Sequence, residues 1–170
     1  MKDYAISSGN EKDFIKVAEK LGFTELVFAP SIDLSKIKSS IKLSSSKRVI
    51  KSDIKKDRNI IESKKADLIY EFEVLNKKDG MHFLNSGLNQ VLVKLMKENK
   101  ISYGISFSMI LNASKQEQAI LIGRILQNIK LCRKYKVPII VASFARNQHE
   151  MRDPRDLTAF ARSLGLQDYK

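Results

Sequence analysis

Cysteine and histidine are scarce in this sequence, and their scarcity excludes two kinds of site. The 170 residues include one cysteine, Cys132, and two histidines, His82 and His149. A single cysteine cannot build a disulfide framework or a cysteine-based zinc site within the chain. A metal-dependent hydrolase needs several His, Asp or Glu side chains together at strand ends. We therefore predict that both histidines, which lie in polar, loop-like segments, are exposed or hydrogen-bonded and not metal ligands.

Phosphate-binding loops and long apolar runs are absent as well. Neither GxxxxGK(S/T) nor GxGxxG after a strand occurs, so the sequence does not support a bound nucleotide. No apolar run reaches the roughly 18 residues of a membrane span. The opening residues, MKDYAISSGN, lack the apolar core of a signal peptide. We therefore expect a cytoplasmic protein that neither crosses a membrane nor is secreted.

Acidic residues are few relative to basic ones. The chain carries 31 Lys and Arg against 19 Asp and Glu, a formal net charge of +12. This excess favours a polyanionic partner, nucleic acid or an anionic membrane surface, although lysine-rich composition also arises from genomic bias. Between Asn99 and His149 the only acidic residue is Glu117. A one-sided segment of this length favours a phosphate-facing surface over an ordinary solvated face.

Short apolar runs alternate with segments of helical period along the whole chain. With 43% hydrophobic residues among 170, residues 1–170 are expected to form a single domain with one core. The alternation predicts a parallel α/β fold. Between Ile32 and Lys56 the Ser- and Lys-rich sequence shows little periodicity. The predicted strands are Tyr4–Ser7, Glu25–Ala29, Arg48–Lys51, Asp67–Phe72, Ser102–Phe107 and Val137–Ser143.

Start and stop residues mark the predicted helices. The first, Glu11–Leu21, ends at Gly22, which suits the left-handed turn that closes a helix. Ser114 and Glu117 have the spacing of a capping box for a long helix that runs to about Tyr135.

Apolar residues at helical spacing predict the buried faces of these helices. In the first helix the face is Phe14, Val17, Ala18 and Leu21. After Ser86 it is Leu88, Val91, Leu92 and Leu95, with Lys94 and Lys97 pointing elsewhere. In the long helix it is Leu121, Ile122, Ile125, Ile129 and Cys132.

A pair of carboxylates, Glu71 and Glu73, shares one face of a predicted strand. Nothing else nearby in the sequence indicates an acid and a base held at different pKa values. We therefore interpret the pair as an ordinary solvated strand end.

The loop after the last predicted strand gathers arginines beside a helix start. The segment SFARNQHEMR leads into a helix for which Asp153 is the predicted cap, with Pro154 at the first position and Gly165 at the close. In parallel α/β folds such a helix start points free backbone N–H groups toward the ligand face. Arginine donates two hydrogen bonds to one phosphate. We predict an RNA-backbone site at Arg146, Arg152 and Arg155; the alternative is that Arg155 pairs with Asp156 or Glu150.

Several stretches occur in an order and spacing that resemble a known family. They are SGLNQVLVKLM followed by ISYGISF, the long helix ending LCRKYKV, and a strand followed by Ser143, Ala145 and MRDPRDL. Together they cover roughly Ser86 to Gly165. They resemble ribonuclease P protein component 3, an archaeal family shared with the eukaryotic enzyme.

The resemblance implies a fold and a function. The fold is an α/β barrel of TIM type, similar to the polymerase and histidinol phosphatase barrels without their metal ligands. Because a full barrel takes at least about 200 residues, we expect a reduced or incomplete one. The function is to support the catalytic ribonuclease P RNA, which removes the 5′ leader from precursor tRNA with magnesium. The implied partners are that RNA, precursor tRNA through the holoenzyme and ribonuclease P protein component 2; the chain alone would bind no cofactor and cleave nothing.

The resemblance also places individual residues. Arg152 matches the arginine of the family's R-x-P motif, and Lys134 matches a basic residue at the end of the long helix. Pro154 and Asp156 match the proline and aspartate, which we interpret as helix-start structure. Together with basic residues of the helices, the predicted RNA-binding set is Arg152, Arg155, Arg146, Lys134, Arg133, Arg124 and Lys94.

Two other functions remain open at this stage. One is a metal-dependent phosphoesterase of the related barrel type, which would need stoichiometric zinc or manganese at a histidine. The other is a general basic RNA-binding protein with no place in ribonuclease P.

Overall fold

The computed structural model describes residues 1–6, 9–35, 37–73, 78–81, 84–167 and 169. Strands and helices alternate along much of the chain, as predicted, but three strands follow one another between Glu25 and Lys51, and two helices follow one another between Phe107 and Tyr135. A single-turn 3₁₀ helix lies at Gln148–Glu150. The strands are β1 Lys2–Ile6, β2 Glu25–Ala29, β3 Lys42–Ser45, β4 Val49–Lys51, β5 Leu68–Tyr70, β6 Ser102–Ser106 and β7 Ile139–Ala142. The helices are α1 Glu11–Leu21, α2 Asp57–Glu62, α3 Gln90–Glu98, α4 Phe107–Leu111, α5 Lys115–Tyr135 and α6 Pro154–Ser163.

Backbone contacts divide the chain into two compact units. Unit 1 comprises Met1–Lys47, Ser106–Ser108 and Val141–Lys170. Its sheet has the order β1-β2-β3, with all pairs parallel. Beside β1, the Ile6 N–H donates to the Ala145 carbonyl at 2.8 Å, which ties the loop after β7 to this sheet. The core of unit 1 contains Phe14, Ile15 and Ala18 of α1 together with Leu26, Phe28 and Leu157.

Unit 2 comprises Arg48–Ile105 and Met109–Ile140. Its sheet has the order β4-β5-β6-β7, and β4, β5 and β6 run parallel. Helix α3 packs against α2 and α5. The predicted stripe of α5 is buried at Leu121, Ile125, Ile129 and Cys132. The same buried face also carries two polar residues, Arg124 and Asn128, which the apolar period did not predict.

The helix ends agree closely with the sequence. Helix α1 has the predicted bounds, and Gly22 closes it with a φ of 79°. The capping box of Ser114 and Glu117 is present at the start of α5. Asp153 caps α6 by accepting from the Arg155 N–H at 2.7 Å. These predictions are confirmed. They could be made from the sequence because a cap depends on residues within one turn of each other.

The elements that were not predicted have weak local signals. Strand β3 lies in the Ser- and Lys-rich region and has no buried residue, so only its pairing with β2 identifies it. Helix α4 begins at Phe107, the residue predicted to end the preceding strand. Helix α2 is a short helix of six residues.

The predicted buried face of α3 was wrong at Val91, which is 55% exposed. The helix begins only at Gln90, because Asn89 caps it by accepting from the Leu92 N–H at 2.9 Å. The buried residues are Val93 and Met96. Counting the helical period from Leu88, which precedes the helix, placed the buried face one position too early.

The α/β class with parallel strands is confirmed. In the described part of the chain, the strands are divided between a sheet of three and a sheet of four. A full barrel joins eight parallel strands in one closed sheet. Among the described residues, the strands therefore do not form one closed sheet of that kind.

Candidate nucleic-acid interface

A buried carboxylate in unit 1 holds the chain where β7 ends. Asp3 is fully buried and accepts from the Ser143 N–H at 2.7 Å and from the Ser143 hydroxyl at 2.5 Å. Burial raises the pKa of Asp3 to about 6, against the lowering effect of these hydrogen bonds. Asp3 thereby fixes the start of the segment that leads to the arginines.

The next part of this segment is organised by Glu150, whose side chain is mostly buried. Its carboxylate accepts from the Arg146 backbone N–H and from the Asn147 side-chain amide, each at 2.7 Å. Asn147 in turn accepts from the His149 N–H at 3.0 Å. Glu150 therefore holds the loop at Arg146 and Asn147 in place through these two hydrogen bonds. Within the described residues Arg155 forms no ion pair with Asp156 or Glu150.

The loop and the first turn of α6, residues 146–155, form what we call the arginine loop. Arg146 and Arg155 are exposed there, and Arg152 is half-buried. Arg152 Nη1 donates to the His149 carbonyl at 2.9 Å and to the Met151 carbonyl at 2.8 Å. Its guanidinium lies 5.9 Å from the centre of the Phe107 ring. The sequence prediction that these three arginines belong to one segment beside a helix start is consistent with this geometry, and their contact with RNA stays a prediction.

A further arginine that the sequence analysis did not single out lies on the same helix. Arg162 and Arg155, two turns apart on α6, line a cavity of about 330 Å³ with Thr158. Met1, Pro154 and Ala159 complete its wall. The two arginines are seven residues apart, a spacing that places them on one helix face. This spacing could have indicated from the sequence that Arg162 lies near Arg155.

In unit 2, two residues of the predicted RNA-binding set meet at an aromatic ring. The ammonium groups of Lys94 and Lys134 lie 5.8 Å and 5.7 Å from the centre of the Tyr135 ring. Both lysines and the neighbouring Arg133 are exposed. An aromatic ring beside cations is the arrangement on which nucleic-acid bases stack while phosphates are bound. Sequence reasoning selected the cations and missed Tyr135.

Arg124 does not fit the predicted RNA-binding set and requires a correction. Its side chain is 2% exposed and pairs with Asp79, with an Nη2–Oδ1 distance of 2.9 Å. Its Nε donates to the same oxygen at 3.1 Å. Because a guanidinium enclosed in this way cannot reach a phosphate, we remove Arg124 from the set. Arg124 is buried because it lies on the inward face of α5. A buried charge requires a partner of opposite charge, and Asp79 provides it.

The interpretation of Glu71 and Glu73 as a solvated strand end was wrong. Both are buried, and the Glu71 carboxylate pairs with the Lys51 ammonium at 2.8 Å. Glu73 accepts from the Tyr103 hydroxyl and from the Asn128 side-chain amide. Burial raises the pKa of Glu73 to about 7. The loop after β5 turns these carboxylates inward, and strand alternation could not predict that turn.

The predictions for the two histidines have different outcomes. His149 is exposed, as predicted, and its ring lies 3.4 Å from the Gln148 side chain. The prediction for His82 falls outside the described residues. Among the residues that the structure describes, no group of three or more His, Cys, Asp or Glu side chains is placed to hold a metal ion, and no helix is long and apolar enough to cross a membrane.

A match to a protein-family model identifies the family of this chain. The model described as RNase P subunit p30 matches residues 58–170, more than half of the chain. The chain belongs to this family. The matched region contains the arginine loop and the group formed by Lys94, Lys134 and Tyr135. The match confirms the resemblance seen between Ser86 and Gly165.

Curated relatives are archaeal proteins named ribonuclease P protein component 3. The chain is 34% identical over 84 residues to the one from Methanosarcina mazei, covering 49% of this chain and 35% of that protein. It is 29% identical over 111 residues to the one from Methanocaldococcus jannaschii, covering 65% of this chain and 45% of that protein. The matches therefore span less than half the length of these relatives.

A solved structure has the same fold over nearly the whole chain. It is a chain in the cryo-EM structure of archaeal ribonuclease P with mature tRNA. The TM-score is 0.72 at 21% sequence identity, and the match covers 96% of this chain and 82% of that one.

Proposed function

We propose that this protein is a subunit of ribonuclease P that binds the catalytic RNA and supports removal of the 5′ leader from precursor tRNA. The observation that carries the proposal is the match of the RNase P subunit p30 model to residues 58–170. The shared fold with a chain of archaeal ribonuclease P supports it.

The catalytic chemistry belongs to the RNA, with its magnesium ions, and the protein supplies contacts to the RNA. Exposed Arg146 and Arg155, with Arg152 held beside Phe107, form the phosphate-binding surface of unit 1. Lys94, Lys134 and Tyr135 form a second contact in unit 2. Each cation that neutralises a phosphate releases condensed counterions, so binding through these residues depends strongly on salt.

The proposal includes a protein partner, ribonuclease P protein component 2. We propose that the chain acts on the RNA together with this subunit and has no nuclease activity by itself. The rival function, a phosphoesterase, predicts metal-dependent cleavage by the chain alone.

Reconstitution tests the proposal. The purified chain is added to ribonuclease P RNA and component 2 from the same organism, and 5′-leader release from precursor tRNA is measured in magnesium. We expect cleavage to rise only when the RNA is present and to rise most with both proteins. Leader release by the protein without RNA, or no stimulation of the cognate RNA, would refute the proposal.

A further inference from the structure

The guanidinium of Arg152 has one end that is held and one edge that is open. Its Nη1, which carries two hydrogens, donates to the His149 carbonyl at 2.9 Å and to the Met151 carbonyl at 2.8 Å. Within the described part of the chain, its Nε and Nη2 make no hydrogen bond, and both atoms are accessible to solvent. The Nε–H and one Nη2–H point in the same direction, and together they form the fork that binds two oxygens of one phosphate or carboxylate. Arg152 therefore presents a preformed bidentate donor.

The positive charge of Arg152 is not neutralised within the described residues. Arg152 is half-buried, and it forms no ion pair with any of them. The two carboxylates that lie closest to it along the chain have other partners. Glu150 accepts from two N–H groups of the loop, and Asp153 accepts from the Arg155 N–H. A half-buried cation that lacks an internal partner favours an anion from outside the chain.

Phe107 restricts how this guanidinium is oriented. The centre of the Phe107 ring lies 5.9 Å from the Arg152 guanidinium, within the range of a cation–π contact. The ring is itself held edge-to-face by Phe160 of α6, with the ring centres 5.1 Å apart and the planes at 83°. The next residue, Ser108, donates through its backbone N–H and its hydroxyl to two backbone carbonyls just after β7, each at 3.0 Å. The ring of Phe107 and the backbone beside it are thus both fixed by contacts to neighbouring segments.

The surroundings of the fork favour an RNA phosphate over a protein carboxylate. Arg146 and Arg155 are exposed in the same loop, and Arg155 forms no ion pair within the described residues. The RNA backbone carries one anion per nucleotide at a regular spacing, so a single strand supplies a phosphate for each arginine. A protein partner would have to gather several carboxylates on one surface, where they repel each other. The ligand whose chemistry fits the three arginines of this loop is therefore the RNA backbone.

We propose that Arg152 binds one RNA phosphate through two hydrogen bonds from its Nε–Nη2 edge, and that Phe107 is a positioning residue that holds this edge toward the RNA. This inference rests on the proposed function and adds the geometry of the contact. Because the two Nη1 bonds and the Phe107 ring order the guanidinium before the RNA arrives, binding does not have to immobilise this long side chain. A phosphate held by two bonds also fixes the register of the RNA on the loop.

Lysine in place of Arg152 tests the fork. Arg152→Lys keeps the charge but has no planar pair of donors, so the affinity for ribonuclease P RNA from the same organism should fall about ten-fold or more. The slope of log affinity against log salt should stay that of the wild type, because the number of neutralised phosphates is unchanged. Arg58→Lys is the matched control, because Arg58 pairs with Glu62 in unit 2 and belongs to neither proposed RNA contact. Its affinity should equal that of the wild type, and melting curves check that both variants fold.

A double-mutant cycle tests the positioning role of Phe107. Phe107→Leu keeps an apolar side chain and removes the ring, so the guanidinium becomes ordered only on binding, and the affinity for the same RNA should fall about two- to ten-fold. In an Arg152→Ala background the same exchange should leave the affinity unchanged, because there is no guanidinium to position. Phe23→Leu is the control for packing, since it removes a ring from the buried core of unit 1. It should lower the melting temperature without changing the affinity for RNA.

The outcomes separate this inference from the proposed function. Wild-type affinity for Arg152→Lys would overturn the bidentate contact, and equal losses for Phe107→Leu in both backgrounds would overturn the positioning role. In either case, RNA binding and stimulated cleavage by the wild-type chain leave the proposed function standing. If Arg152→Lys weakens the binding of component 2 and not that of RNA, the fork takes a protein carboxylate and the proposal is overturned. If the wild-type chain neither binds the RNA nor stimulates cleavage, both the proposed function and this inference fail.

Discussion

Glu73 and Asn128 meet inside unit 2, where the Asn128 side-chain N–H donates to Glu73 Oε1 at 2.6 Å. Glu73 Oε2 and Asn128 Oδ1 are both buried without a hydrogen-bond partner among the described residues. A carboxyl and an amide that are already joined by one N–H···O bond form a second bond when the carboxyl carries a proton, because its O–H then donates to the amide oxygen. Burial raises the pKa of Glu73 to about 7, so its carboxyl carries a proton in the folded protein below about neutral pH.

We predict that Glu73→Gln preserves stability and that Glu73→Ala lowers it. Glutamine keeps one acceptor and supplies N–H donors where the protonated carboxyl has its O–H. Alanine removes the acceptor of the buried Tyr103 hydroxyl and one of the two acceptors of the Asn128 amide, which keeps its bond to the Ser86 carbonyl. The expected cost is about 1–3 kcal/mol. Urea unfolding at pH 7 measures both. A Gln variant as unstable as the Ala variant would show that Glu73 is needed as an anion.

The two buried acids with raised pKa values should make stability depend on pH. Glu73 rises from 4.5 to about 7 and Asp3 from 3.8 to about 6, both mainly through burial. The folded protein holds these protons more tightly than the unfolded chain, so their stabilising contribution is full below the unfolded pKa and is lost as pH rises through the folded pKa. Around Glu73 the other titratable groups are Tyr103, Cys132 and Glu71.

Melting curves between pH 4 and pH 8 check this prediction when the melting temperature of each variant is compared with that of the wild type at the same pH. Relative to wild type, Glu73→Gln should lose the decline between about pH 4.5 and 7, and Asp3→Asn the decline between about pH 4 and 6. Differences are needed because the hydrogen-bonded surface carboxylates Glu19 and Glu117, whose pKa values are lowered, act in the opposite direction. Parallel curves for wild type and both variants would contradict the assignment.

The arginine loop should bind phosphates through separate side chains. Arg152→Ala and Arg155→Ala should each reduce the slope of log affinity for RNA against log salt by about 0.7–0.9. Asp153→Ala is the control for structure: it removes the cap on the Arg155 N–H and should cost about 0.5–2 kcal/mol of stability without changing that slope. Arg152→Ala should also lower the melting temperature, because the side chain binds two loop carbonyls. Unchanged slopes for both arginine variants would assign the loop a structural role.

Arg124 should matter for folding and not for RNA contact. Replacing it with Ala leaves the Asp79 carboxylate beside an apolar helix face, and breaking a buried pair costs about 3–5 kcal/mol. The lower end applies, because Asp79 is 25% exposed and also accepts from the Asn85 N–H. Thermal melting and the salt dependence of RNA affinity measure the two effects. An unaltered melting temperature with a reduced salt slope would return Arg124 to the RNA-binding set.

The sequence by itself determined the features that depend on neighbours along the chain. The bounds of α1, the capping box of α5 and the Asp153 cap of α6 were all predictable, because each involves groups within about one helical turn. The family was predictable too, since several stretches between Ser86 and Gly165 occur in the order and spacing that resemble the family.

Only the tertiary structure decided which polar residues face inward. Arg124 and Asp79 are 45 residues apart, and Glu73 and Asn128 are 55 apart, so no local pattern relates them. Strand β3 likewise has no apolar alternation and exists through its pairing with β2. A charged side chain in a basic, polar sequence is predicted to be solvated because burying it alone is costly. Folding reverses that prediction where a distant partner offsets the cost, and a partner of that kind becomes apparent only once the chain has folded.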